Sequence, residues 1–314
     1  MSADLSWLEA AVIGLLQGVS ELFPVSSLGH SILIPAIVGG SWARDLDVSA
    51  PESPYLAFIV GLHVATAIGL IVYFWRDWLR ILAGFVSSVR HRRVSTPDER
   101  LAWLLILGTI PIGIAGLALE HLFRTTFSRP SLTAVFLMLN GLILLAAERF
   151  RRRANVPVPA MAASAGAAER DPALVPMPAE NRDLDASVSR ISFRRAVGIG
   201  SSQILALLPG VSRSGIAMSV GLWRGMSHRE AARFSFLLAT PVIFAAGVLK
   251  IPDLIGPLGD GIRPQVLLGS VMSGVGAYLA VRFLERYFVR YTLRPFGYYC
   301  LAAGLFALLW INLE

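Results

Sequence analysis

Six apolar runs dominate the chain, at residues 55–75, 101–119, 132–148, 233–250, 264–282 and 295–312. Each comes close to the roughly 20 residues that carry a helix across a bilayer. Tyr73, Trp75, Trp78 and Trp103 lie at their ends, where an interfacial belt places aromatic rings. Only 16% of the residues are charged. An average soluble domain has about 25%, so this sequence lacks the polarity to cover a water-exposed surface. The expectation is an all-α polytopic membrane protein with six full spans.

Two further apolar stretches, 5–40 and 194–223, are interrupted near their middles by Pro24 and by Pro209-Gly210. Proline removes a backbone donor and ends a helix, while glycine permits the tight turn that follows. Each stretch is therefore expected to form a re-entrant helix pair that enters the membrane and returns on the same side. Backbone of this kind is tolerated at depth only where protein buries it or where it lines a cavity.

Charge sets the orientation. A net charge of +7 would suit nucleic acid, but the basic residues, all but one of them arginine, gather in short segments between spans. That distribution excludes nucleic acid as a partner and follows the positive-inside pattern. Segments 76–100, 149–193, 224–232 and 283–294 are expected in the cytoplasm. The outer segments, 41–54, 120–131 and 251–263, hold only Arg44, Arg124, Arg129 and Arg263. Each half is then one re-entrant pair plus three spans, an odd number, which makes 1–148 and 194–314 inverted repeats. Pro24 with Ser27 and Pro209 with Ser212 share one spacing and support the pairing. Between the halves, 149–193 is basic at its start and rich in Ala and Pro, and reads as a disordered cytoplasmic linker. Cys300 reads as a small buried apolar residue. Asp4 and Glu9 stand where a cleavable signal needs positive charge, so none is read.

The first break carries chemistry. Gln17 and Glu21 are four apart and share a helix face, and ionisable groups inside membrane segments are costly and usually functional. Beyond Pro24, Ser26 and Ser27 fall where the next helix needs its N-cap, and His30 lies in its first turn. Free N–H groups, hydroxyls and a histidine at a helix N-terminus suit a phosphate. Both serines can cap, and Ser27 is preferred as the one that meets phosphorus. The second break presents Pro209-Gly210-Val211-Ser212-Arg213-Ser214-Gly215. The planar fork of Arg213 binds phosphate oxygens bidentately. Ser212, Ser214 and the close backbone approach at Gly210 complete an anion-binding nest. Elsewhere, His63 is read as a satisfied interhelical partner, His91, His121 and His228 as solvated, and Glu120 and Glu285 as interfacial.

Gln-x-x-x-Glu, Pro-Val-Ser-Ser-x-Gly-His and Pro-Gly-x-Ser-Arg-Ser-Gly, in this order, resemble the bacterial undecaprenyl-diphosphatase (bacitracin-resistance) family over both halves. The resemblance implies an inner-membrane enzyme that hydrolyses a polyprenyl diphosphate, with its site opening to the periplasm. It implies Glu21, Ser27, His30 and Arg213 as catalytic, with Gln17, Ser26, Gly210, Ser212 and Ser214 binding substrate. It further implies a divalent cation, Mg2+ or Ca2+, held by Glu21 and position 17. Many members carry glutamate there, and Gln17 removes one metal-binding charge. The sequence leaves open whether Ser27 or His30 attacks phosphorus, and whether the chain is a homo-oligomer. A transporter or lipid-phosphate flippase would use the same inverted-repeat anion site. The acid-phosphatase-like lipid phosphatases are excluded, because Ser219 and Trp223 stand where their histidine and aspartate would fall.

Overall fold

Ser6 starts the first helix through a closed capping box. Its hydroxyl accepts from Glu9 N at 3.2 Å, and the Glu9 carboxylate accepts from Ser6 N at 2.8 Å. In this computed structural model, which describes residues 5–46, 54–153, 177–256 and 261–313, helices follow one another without a strand among the described residues. The order is α1 Trp7–Leu22, α2 Ser27–Val38, α3 Gly40–Asp45, α4 Pro54–Tyr73, α5 Trp75–His91, α6 Pro97–Phe127 and α7 Pro130–Arg153. There follow α8 Met177–Ser189, α9 Phe193–Ser202, a 3₁₀ turn Gln203–Leu207, α10 Arg213–Trp223, α11 His228–Ile255, α12 Arg263–Arg290 and α13 Arg294–Leu313.

Five of these helices are long and apolar enough to cross a membrane: Pro97–Leu119, Pro130–Arg151, His228–Val248, Arg263–Arg290 and Arg294–Leu313. The remaining run of the sequence reading forms α4, which contains the shorter apolar stretch Gly61–Tyr73. The breaks fall where proline and glycine place them, between α1 and α2 and between the 3₁₀ turn and α10. The halves are interleaved. α1 packs along α12 and α9 along α6, while α4 lies against α11 and α12, and α7 against α13. Small residues permit the close approach. A Cβ on Gly14 would lie 2.7 Å from Gly269 Cα, and one on Gly200 2.7 Å from Gly108 Cα. Without a hydrophobic drive between helices in lipid, such backbone proximity is a main source of association.

Four expectations need correction. Segment 76–100 is not a loop, because α5 fills most of it. Asp77, Ile81, Gly84 and Ser88 are buried on one face of α5, whereas Trp75, Leu79, Leu82, Val86 and Val89 are exposed on another. An exposed apolar stripe flanked by arginines is the pattern of a helix lying in the membrane interface. Segment 149–193 is helical at both described flanks, through the end of α7 and through α8, and 154–176 lies outside the described residues. α8 is anchored by a charge. Asp185 meets Arg233 Nε at 3.0 Å and Arg80 at 2.8 Å. The fully buried Arg233 also binds Asp77 at 2.7 Å and Glu285 at 3.0 Å, and it lies over the Phe74 ring. Glu285 is therefore a half-buried ion-pair partner, with Tyr73 donating to it at 2.8 Å. His228 is likewise not solvated, since its Nε2 lies 2.6 Å from Glu148. Glu120 and His121 have side chains outside the described set.

Candidate active site

The two breaks meet. A Cβ on Gly29 would sit 2.9 Å from Gly210 Cα, so the first turn of α2 and the turn before α10 come together at a pair of glycines. Gly210 has φ +105° and a Cβ on it would lie 2.8 Å from Leu137 N, so both its conformation and its neighbours require glycine. Asn140 of α7 ties the two turns together. Its Nδ2 donates to Pro24 O at 3.0 Å, and its Oδ1 accepts from Ser212 N at 3.0 Å. The Ser212 and Ser214 hydroxyls both donate to Phe23 O, at 3.4 and 3.2 Å.

Each helix after a break is capped by a serine. Ser26 Oγ accepts from Gly29 N at 3.2 Å, and Ser212 Oγ accepts from Gly215 N at 3.1 Å. Ser26 holds this position at φ +69°, a left-handed conformation costly for a residue with a side chain. The capping role thus equates Ser26 with Ser212, where proline spacing had equated Ser27 with Ser212. The first helical residues are then Ser27 and Arg213, and both reach Glu21. Ser27 Oγ donates to Glu21 Oε2, and Arg213 Nη2 donates to Glu21 Oε1 at 3.1 Å. Glu21, Ser26, Ser27 and His30 are buried, as are Ser212 and Ser214. Arg213 Nη1 is buried without a hydrogen-bond partner, a donor available to an incoming oxyanion.

His30 is separate from the Glu21–Ser27 pair. Its Nδ1 lies 2.7 Å from Ser26 O, which can only accept, so Nδ1 carries the proton and Nε2 the lone pair. That lone pair faces Tyr299 Oη at 2.8 Å, and the two rings stack 6° from parallel with centroids 5.7 Å apart. Among the described hydrogen bonds, Ser27 is served by Glu21 and not by His30.

Gln17 is fully buried. Its Nε2 donates to Glu21 Oε2 and to His63 Nε2, each at 3.2 Å. Its Oε1 is buried with no hydrogen-bond partner. An orphaned carbonyl oxygen beside a carboxylate fits an oxygen-seeking divalent cation. Among the described residues, however, no three His, Cys, Asp or Glu side chains gather as a metal site.

The match to known proteins covers this arrangement and the chain around it. The bacitracin resistance protein BacA family model aligns with residues 10–306. The chain belongs to the BacA family. The undecaprenyl-diphosphatase of Mycolicibacterium paratuberculosis is 61% identical over all of both chains. Undecaprenyl-diphosphatase 2 of Frankia alni is 51% identical, covering 96% of each chain. Undecaprenyl-diphosphatase 2 of Chromobacterium violaceum is 41% identical, covering 96% of this chain and 98% of that one.

All the site residues read from this BacA-family sequence therefore converge at one place. Three residues at that place were not assigned from sequence: His63, Asn140 and Tyr299. A lone Asn in the apolar run 132–148 was a signal, since an unpaired amide in lipid is costly. His63 in the run 55–75 carries the same signal, which an interhelical hydrogen bond also accounts for. Tyr299 gave none, because it sits in a stretch where tyrosines crowd a span end.

Proposed function

We propose that this chain removes the terminal phosphate of undecaprenyl diphosphate, releasing undecaprenyl phosphate and inorganic phosphate. It thereby recycles the lipid carrier for peptidoglycan synthesis and confers bacitracin resistance. The observation that carries the reading is Glu21, with one oxygen on the Ser27 hydroxyl and the other on the Arg213 guanidinium. A site for transport alone requires an anion clamp but not a hydroxyl bonded to a base.

The geometry supports a two-step hydrolysis. The Arg213 fork and the N–H groups opening α2 and α10 hold the terminal phosphate. Glu21 takes the Ser27 proton as Oγ bonds to phosphorus and the bridging P–O bond breaks, which frees undecaprenyl phosphate. His30 Nε2 then removes a proton from water, whose oxygen bonds to phosphorus as the bond to Ser27 Oγ breaks, and Glu21 returns its proton to Oγ, yielding inorganic phosphate and free Ser27. Gly210 lets the backbone close on the substrate, while Ser26, Ser212 and Ser214 shape the nest. A divalent cation held by Glu21 and Gln17 would offset charge on the diphosphate.

The chain is a multi-pass membrane protein of the bacterial inner membrane in this reading, with six spans, two inverted repeats and a site that opens outward. The exchanged packing of α1 on α12 and α9 on α6, each at a glycine pair, supports the inverted repeat. So do the matched serine caps. In a Cys300→Ser background, a cysteine at Ser49 should react with an impermeant thiol reagent added outside, and one at Ser95 should not. The activity itself is tested by phosphate release from undecaprenyl diphosphate by the purified protein in detergent. No release from wild-type protein that is folded and supplied with divalent cation would overturn the function.

A further inference from the structure

We propose that His63 is a cation ligand, and that it makes this site prefer a transition-metal ion such as Mn2+ over Mg2+ and Ca2+. The inference rests on the divalent cation of the proposed function and names its third donor. His63 Nδ1 lies 2.8 Å from Ile59 O, which can only accept, so Nδ1 carries the proton and Nε2 presents a lone pair. A ring nitrogen donating to a backbone carbonyl while the other faces the metal is the usual posture of a ligating histidine. Nε2 stands 3.6 Å from Glu21 Oε2.

Two lone pairs from residues far apart in the chain thus converge on one point. In the structure that point is occupied by the Gln17 amide N–H2, which bonds to both acceptors at 3.2 Å. A group with partial positive charge holds the place where a cation would bridge the same two atoms. The remaining atom of the amide, Oε1, is buried and has no partner. A half-turn about the last side-chain bond brings Oε1 toward the shared point and removes the N–H2. The donor set is then a carboxylate oxygen, an amide oxygen and an imidazole nitrogen. His63, with 27% of its side chain exposed, lies on the accessible side and gives the ion a way in.

That set has a chemical consequence. Mg2+ and Ca2+ take oxygen ligands, and Mg2+ gives up water reluctantly, so an imidazole adds little for either. Mn2+ and later divalent ions accept nitrogen alongside carboxylate, and their affinities rise through the series. A glutamate at position 17 would supply a second hard oxygen. In this chain Gln17 offers a neutral oxygen instead, and His63 adds a softer nitrogen donor.

The test is direct binding of the metal alone to purified full-length protein in detergent, without substrate. Free Mn2+ is followed by its electron paramagnetic resonance signal, with Mg2+ and Ca2+ as competitors. The expected result is Mn2+ bound at least tenfold tighter than either competitor. His63→Gln should lower Mn2+ affinity at least tenfold and change Mg2+ affinity less than threefold, with the metal-free melting temperature checked for each variant. The double variant His63→Gln with Gln17→Glu should regain cation binding but favour Mg2+ and Ca2+. Unchanged Mn2+ affinity in His63→Gln overturns the inference. So does a wild-type site that prefers Mg2+ or Ca2+. If Mn2+ binds as described while undecaprenyl diphosphate is not hydrolysed, the ligand assignment stands and the proposed function falls.

Discussion

Arg213 Nη2 lies 3.1 Å from Glu21 Oε1, although 192 positions of chain separate the two residues. Removing either leaves the other's charge buried without its partner, which is costly in a water-poor site. Lysine at 213 keeps the charge but loses the fork, so Arg213→Lys should lower turnover by roughly 10²–10³, and Arg213→Ala by at least as much. Both should insert and remain monodisperse, as size-exclusion chromatography would report. A purely structural pairing has a different signature. Arg213→Leu and Glu21→Gln would each lower the melting temperature, and the double variant would recover it without recovering activity.

In the proposed mechanism Ser27, bonded to Glu21, is the nucleophile and the covalent intermediate is a phosphoserine. Phospho-enzyme trapped by rapid acid quench should therefore be acid-stable. Because His30 serves only the second step, His30→Ala should accumulate this species while Ser27→Ala forms none. Acid-labile label that persists in Ser27→Ala would make His30 the nucleophile.

Tyr299 holds the His30 ring by one hydrogen bond and a stacked face. Tyr299→Phe keeps the stack and loses the bond. A single hydrogen bond contributes about 1 kcal/mol, so kcat should fall by up to about tenfold while KM stays within about twofold. Tyr299→Ala, which loses both, should fall further. The comparison of kcat and KM across the two variants decides the matter, because a defect in substrate binding would move KM first.

Arg233 is the hub that fastens α8 to the spans, and it has three acidic neighbours in Asp77, Asp185 and Glu285. Arg233→Leu removes the cation that all three share, leaving Asp77 and Asp185 to Arg80 and Glu285 to the Tyr73 hydroxyl, and should cost up to roughly 3–5 kcal/mol, read as a lowered melting temperature in detergent. Asp185→Asn should cost less, since Arg233 retains Asp77 and Glu285, and Arg80 retains Asp77 and Asp98. If α8 were dispensable, Asp185→Asn would melt with the wild type.

The sequence by itself determined where the apolar helices run, where they break and which motif residues lie at the breaks. Those properties are local. A run of apolar side chains, a proline without its N–H, or a serine before a helix acts on its own few neighbours, whatever the rest of the chain does. Glu21, Ser27, His30 and Arg213 were legible because each lies in a break and carries a group that lipid would not tolerate unpaired. Pairing was not legible. That Ser27 bonds to Glu21, and that His30 faces Tyr299 across 269 positions, depends on how interleaved helices bring distant side chains together. The same holds for Asn140, which joins both turns, and for Asp185, which looked like one charge among many in a linker. His63 could be seen as a polar residue in a span, but only the packing of α1 beside α4 turned its lone pair toward Glu21. A single polar residue on a helix has no periodicity to announce its partner. The tertiary structure chooses that partner, because a hydrogen bond or ion pair needs its two groups within about 3 Å of each other.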